Sequence, residues 1–142
     1  MKTQVKVAIV GILTIAVIAI LSTKRPSNQI PGDQLPADHR VANLTGKGLP
    51  VLIDVGAETC IPCKMMAPIL DELKQELAGT VAVHFLNLDE YPALASEYQI
   101  RVKPTQIFYD ASGQELVRHE GFMGKEDILA KWAEFGVKPA LD

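Results

Sequence analysis

The sequence predicts an α/β domain built on a mixed four-stranded sheet with helices on both faces, preceded by an N-terminal membrane-anchor helix. Three observations carry this. From about Asp38 onward, apolar runs alternate between strand-like and helix-like in the order β-α-β-α-β-β-α. The first two strand-like runs are separated by a helix, which implies a parallel pair with a right-handed crossover, whereas the last two are joined by only a few residues and must be antiparallel. The opening 25 residues differ in composition from everything after them.

That opening segment holds fifteen uncharged residues, Val7 to Leu21, interrupted only by Gly11 and Thr14, with Lys2 and Lys6 before it and Lys24 and Arg25 after it. As a helix it would be roughly 22 Å long, short for a hydrocarbon core of about 30 Å. Counting residues 7–23 and letting the flanking lysines snorkel makes a span plausible. A basic start and a short apolar stretch also suit a cleaved signal peptide, but Ala19-Ile20-Leu21-Ser22 offers no small-x-small cleavage site. We therefore expect an uncleaved anchor over residues 1–25, a linker over 26–37 and a folded domain over 38–142. Three prolines and a glycine in the eleven residues Pro26 to Pro36 suit an extended tether.

The elements of the domain follow in order. Asp38 to Leu44 reads as a short helix, ended by Thr45-Gly46-Lys47-Gly48. Val51-Leu52-Ile53-Asp54-Val55 has the β-branched, apolar pattern of a buried strand. After a turn at Glu58-Thr59, Pro62 suits the first turn of a helix, and Met66, Ile69, Leu70, Leu73 and Leu77 recur at helical spacing until Gly79. Pro68 lies inside that helix and should kink it. Val81 to Leu88 is a second strand, with His84 half-buried in it, and Tyr91 to Tyr98 a short helix. Thr105 to Tyr109 and Glu115 to His119 form a hairpin around Asp110-Ala111-Ser112-Gly113. Lys125 to Phe135 is the last helix, with Ile128, Leu129, Trp132 and Phe135 on one face.

Composition narrows the function. The 142 residues carry 14 basic and 17 acidic side chains. Four of the basic ones, and none of the acidic ones, lie in the first 25 residues, so the remainder has 10 against 17, a net of −7. An acidic domain of this kind argues against a nucleic-acid surface, which needs a basic stripe. Two cysteines are too few for a disulfide framework or a four-cysteine zinc site.

Those two cysteines form Cys60-Ile61-Pro62-Cys63 where a strand hands over to a helix. At a helix N-cap, free N–H groups and the helix dipole stabilise a thiolate at Cys60. The thiolate is the species that attacks a disulfide. Cys63, one turn on and less exposed, is placed to attack the mixed disulfide that results. Pro62 stiffens the turn. A C-x-x-C at such a junction in a βαβ unit points to redox exchange. The alternatives are half of a metal site or an inert pair. A zinc ion would need two further ligands, and His39, His84 and His119 form no spaced pair; Met65, Met66 and Met123 could suggest Cu(I), although Met66 reads as core and Met65 as a cover for the site. No metal and no cofactor are expected.

The stretch Val51-Leu52-Ile53-Asp54-x-x-Ala57-Glu58-x-Cys60-x-Pro62-Cys63-Lys64-Met65-x-Ala67-Pro68-Ile69-Leu70 resembles the active-site stretch of the thioredoxin family. Leu86-Asn87-Leu88-Asp89 and Tyr98-Gln99-Ile100-Arg101-x-x-Pro104-Thr105 continue the likeness, which covers about residues 40–136. Gly113-Gln114-Glu115 and Gly121-Phe122-Met123 are also similar to the C-terminal domain of the transmembrane thiol reductase DsbD. The resemblance implies a thioredoxin-like fold and a thiol:disulfide oxidoreductase, in which Cys60 attacks, Cys63 resolves and Asp54 takes the resolving thiol's proton. Read from the residues alone, Asp54 could instead be a strand residue bonded to backbone, but a carboxylate inside an apolar strand is costly unless used or paired. The resemblance further implies that Pro104 is a cis-proline beside the cysteines, and that it exposes the backbone of Lys103 for pairing with a substrate chain. Thr59, Ile61 and Pro62 would border that substrate. The implied partners are proteins bearing dithiols or disulfides, and a membrane electron donor of the DsbD/CcdA type. The expected setting is the periplasmic side of a bacterial inner membrane, with the reductase direction favoured over oxidase or isomerase. A non-catalytic client- or metal-binding module is the rival from another class.

Several positions depart from the family pattern. Thr59 and Gly56 stand where tryptophans are expected, and Ile61 replaces a glycine. Phe85 takes the place of a buried lysine facing the aspartate, so Asp54 should titrate high through desolvation alone. Lys103 precedes the proline, where its charge would favour a Cys60 thiolate unless it points to solvent. Glu115, Glu120, Glu126 and Asp127 read as a solvated face.

A reporter enzyme that is active only outside the cytoplasm, fused after Asp142, should be active if residues 7–23 anchor and export the domain. An inactive fusion that is nonetheless expressed would reject that orientation.

Overall fold

A computed structural model of the chain describes residues 37–137, so the expected anchor and nearly all of the linker lie outside the described residues. A 3-10 turn, Ala37–His39, leads into α1 (Val41–Leu44). There follow β1 (Val51–Gly56), α2 (Ile61–Glu76), β2 (Ala82–Asn87), α3 (Leu94–Glu97), β3 (Thr105–Tyr109), β4 (Glu115–Glu120) and α4 (Lys125–Glu134). Among the described residues no helix is long and apolar enough to cross a membrane.

The strands form one sheet in the order β2-β1-β3-β4, with β1 parallel to β2 and antiparallel to β3, and β3 antiparallel to β4. Central β1 is buried along its whole length, which is why it reads as a continuous apolar run rather than an alternating one. Alternation still assigns its side chains to two layers. Leu52 packs with Val83 and Phe108 under Met66, Leu70 and Leu73 of α2 and Ile128 and Trp132 of α4. Val51, Ile53 and Val55 pack with Ile107 and Tyr109 against Leu94 of α3 and Tyr98 just after it, with Val41 and Leu44 of α1 at the margin. The expected helices on both faces are there. Trp132, fully buried, meets the Phe108 ring at 5.0 Å between centroids.

Two expected helices are shorter than the sequence pattern suggests. The Asp38–Leu44 segment breaks at Arg40, whose backbone is extended, so only one turn of α-helix follows it. The Tyr91–Tyr98 segment begins instead as tight turns, with Leu94 and Ala95 N–H groups donating three residues back to Tyr91 and Pro92; only Leu94–Glu97 is α-helical. Both segments are too short for propensity to prevail over local turns. The β3–β4 hairpin is drawn tight by Asp110, whose Oδ1 accepts from the backbone N–H groups of Ser112 (2.8 Å) and Gln114 (2.9 Å) and from the Ser112 hydroxyl. Gly113 closes it at φ +90°, a conformation that suits glycine. His84 is half-buried in β2 as expected, and burial pushes its imidazole down from the usual value. Of the acidic residues expected to be solvated, Glu115 is paired with Arg118 (2.6 Å) and Glu120 with Arg101 (2.9 Å), so part of that charge is neutralised.

Candidate functional site

The site forms where β1 runs out. Gly56 ends the strand so close to α2 that a β-carbon there would lie 3.1 Å from Cys63 Sγ and 3.1 Å from a Phe85 ring carbon. Only glycine fits without displacing one of them. Beyond Ala57 the chain turns, with the Cys60 N–H donating to the Ala57 carbonyl at 3.2 Å. Cys60 is then the N-cap of α2, with Pro62 in the first turn. Its Sγ accepts from the Cys63 N–H at 3.4 Å, and its carbonyl accepts from the Lys64 N–H at 3.1 Å. Cys60 and Cys63 are joined as a disulfide across 5.3 Å between their α-carbons. Cys60 is half-buried and Cys63 buried, at 3% exposure, so one sulfur faces outward and the other faces the core.

Two loops border the disulfide. Before β3, the Lys103–Pro104 peptide is cis and the Lys103 carbonyl oxygen lies 3.8 Å from Cys60 Sγ. Pro104 is buried, whereas the Lys103 side chain is exposed and its charge bears on Asp89. After β2, Asp89 takes hold of Thr59: its Oδ2 accepts from the Thr59 N–H at 2.9 Å and its Oδ1 from the hydroxyl at 3.2 Å. The Thr59 N–H holds the Asp89 carboxyl below the usual carboxylate range. Ile61, next to Cys60 in the chain, is 75% exposed, and Met65 and Val102 are exposed as well. Behind Cys63 a cavity of about 400 Å³ is lined by Ala57, Glu58, Cys63, Lys64, Ala67 and Phe85.

Asp54 lies two residues before Gly56 on the same face of β1, fully buried. Its neighbours across the sheet are Phe85 of β2 and Gln106 of β3. The Gln106 side-chain amide donates to Oδ1 at 2.6 Å; Oδ2 has no hydrogen-bond partner. Burial pushes the carboxyl up from its ordinary value to about 6, with the Gln106 bond pulling the other way. A carboxyl of this kind changes protonation near working pH, as an acid–base group should.

The structure thus gathers Thr59, Cys60, Ile61, Pro62, Cys63, Lys103 and Pro104 around one disulfide, with Asp54 beneath. Phe85 stands opposite Asp54, where the sequence expects the replaced lysine. Two contributors escaped the sequence reading. Asp89 belonged to the quoted motif but carried no role, and Gln106 drew no attention, although a polar residue in an apolar strand was the signal that singled out Asp54. Among the described residues no three His, Cys, Asp or Glu side chains converge as metal ligands.

Because folding raises the proton affinity of Asp54, the folded chain holds more protons than the unfolded one between pH 3.8 and about 6. The contribution of Asp54 to stability should therefore fall as pH rises through that window, by about 3 kcal/mol. Asp54→Asn should flatten the slope and make the oxidised protein about 2–3 kcal/mol more stable at neutral pH. Urea unfolding across pH 4–8 measures both; a variant with the wild-type slope would contradict the assignment.

A family model described as "Thioredoxin" matches residues 38–134. Thioredoxin of Rickettsia felis is 44% identical over 81 residues, covering 57% of this chain and 76% of its own. A thioredoxin-like protein of Synechocystis is 42% identical over 92 residues, covering 65% and 87%. Among solved structures, chloroplastic thioredoxin z superposes with a TM-score of 0.57 at 27% identity, over 63% of this chain and 80% of that one. The chain belongs to the thioredoxin family and carries the close cysteine pair of a thiol:disulfide oxidoreductase.

Proposed function

We propose that this protein is a membrane-anchored reductase of protein disulfides, working outside the cytoplasm of a bacterium. The observation that carries the chemistry is the division of labour between the two sulfurs: Cys60 caps α2 and is partly exposed, whereas Cys63 is buried one turn on.

In the reduced protein, Cys60 attacks as the thiolate that a helix N-terminus favours. It displaces one sulfur of a substrate disulfide, which leaves as a thiolate, and a mixed disulfide remains. Asp54 takes the proton from the Cys63 thiol. The Cys63 thiolate attacks Cys60 Sγ, the mixed bond breaks and the second substrate sulfur leaves. The substrate has gained two electrons and, from solvent, two protons; the protein ends with the Cys60–Cys63 disulfide. A dithiol donor in the membrane, of the DsbD/CcdA type, reverses these steps and restores the protein. No cofactor takes part.

The substrate chain is expected to lie along Lys103 and Pro104, pairing with the Lys103 backbone as an added strand would. Ile61, Pro62 and Thr59 border it. The exposed side chains of Ile61, Met65 and Val102 supply an apolar footing in place of the aromatic one the family offers at position 59. The anchor and the extracytoplasmic setting rest on residues 7–23, and the direction rests on the likeness to thioredoxin and DsbD.

Cys63→Ser in the full chain should accumulate a mixed disulfide between Cys60 and client proteins, visible on non-reducing gels and absent in the Cys60→Ser variant. Failure to trap any client, with biological effect retained by Cys60→Ser, would replace the enzyme by a binding module.

The direction is read from the reduction potential of the full chain in detergent. A value near −270 mV, like thioredoxin's, supports the reductase; a value near −120 mV, like DsbA's, makes it an oxidant.

A further inference from the structure

The single hydrogen bond to the buried carboxyl comes from a residue to which the mechanism gives no task. Gln106 is fully buried, and its neighbours across the sheet are Asp54 on β1 and His119 on β4. Its Nε2 donates to Asp54 Oδ1 at 2.6 Å, while its own Oε1 has no partner. A buried acceptor left unpaired is costly, so an amide that serves only packing would be better replaced by an apolar side chain. We propose that Gln106 is the positioning residue of the Asp54 carboxyl: by holding Oδ1 it fixes the orientation of the group and presents Oδ2 as the oxygen that takes the proton of Cys63.

The surroundings leave this task to Gln106 alone. On β2 the facing side chain is Phe85, which carries no charge and no donor. On α2 the titratable group is Cys63, held against Gly56 at the end of the same strand face. Glu58 and Lys64 line the cavity beside Cys63, and neither is among the groups that shift Asp54, whose carboxyl is raised by burial and lowered by the Gln106 bond. His119 is turned to other work, its Nε2 lying 3.2 Å from the Phe122 carbonyl. With no charged partner at hand, the one fixed donor sets the orientation of the carboxyl. The donor also favours the charged form. The inference rests on the reading of Asp54 as the base for Cys63, and its test separates the two.

The test uses the full chain in detergent with carbon-13-labelled aspartate. Asp54→Asn identifies the Asp54 side-chain resonance by its loss, and the resonance is titrated in wild type, Gln106→Met and Gln106→Leu. Methionine keeps the length of the glutamine without its donor, so at least one variant should fold. In parallel, a coloured aromatic disulfide reports Cys63: its second thiolate is released only when Cys63 resolves the mixed disulfide, and that rate is followed against pH. The expected result is an Asp54 midpoint near 6 in wild type, moved up by about one pH unit or more in both variants, with the midpoint of the resolution profile moving by the same amount. An unmoved Asp54 midpoint, even with lowered stability, makes Gln106 merely structural and overturns the positioning role alone. A moved Asp54 midpoint with an unmoved resolution profile overturns the reading of Asp54 as the base, and the positioning role with it.

Discussion

One carboxyl group is buried at the centre of the sheet, and the site is arranged around the cost of keeping it there. Asp54 sits on an inner strand, fully buried, and among the described residues the only hydrogen bond to its carboxyl comes from a neutral amide. A fully ionised carboxylate in such a place is expensive, so the proton is held to a higher pH than usual. That penalty is of the size of several ordinary mutations in a small domain. The strand is otherwise apolar, and a valine or leucine at position 54 would bury no ionisable group there. A group that weakens the fold and titrates near neutrality is what proton transfer requires.

The geometry that makes the carboxyl useful is set by the end of β1. Gly56 allows strand and helix to approach until Cys63 occupies the space a β-carbon there would need, which places the inward sulfur on the same face as Asp54. The turn that follows has no freedom to drift. Asp89 clamps Thr59 from one side, and the Lys103 carbonyl borders Cys60 from the other. The helix then begins with a sulfur as its cap acceptor and a proline in its first turn. The two sulfurs differ in exposure because Cys60 lies at the exposed helix end and Cys63 one turn further in, and the proposed mechanism assigns them separate steps on that ground.

Much of this could be read from the residues. The buried strands, the long helix from Ile61 and the final helix announce themselves because their apolar spacing is long enough to be unambiguous. The cysteine pair is legible because a strand-to-helix junction, proline and spacing coincide within a few residues. The short helices stop well inside the spans their apolar pattern suggests, because segments of one or two turns obey local hydrogen bonds rather than periodicity. Gln106 was invisible for another reason. It lies 52 residues from Asp54, and the contact depends on the β1–β3 register, which no local pattern specifies. A polar side chain in a buried strand gives the position away; only the pairing of strands gives the partner.

The replacement at position 85 and the amide at position 106 belong to one argument. The family resemblance implies a buried lysine facing the aspartate, and a cation there would hold the carboxyl charged and strengthen as the surroundings dry. Phe85 removes the charge, which leaves burial to hold the proton on the carboxyl. Gln106 offsets part of that from the opposite strand, with an uncharged donor that favours the ionised form. The outcome is a carboxyl poised between its two forms near pH 6 by burial and one hydrogen bond rather than by an ion pair. Such a balance is little affected by salt, because the groups that set it are buried and only one of them ionises. It is affected by anything that moves β3 relative to β1. The loop that ends in Pro104 leads directly into β3, so the proposed substrate-pairing segment and the strand that carries the amide are continuous backbone.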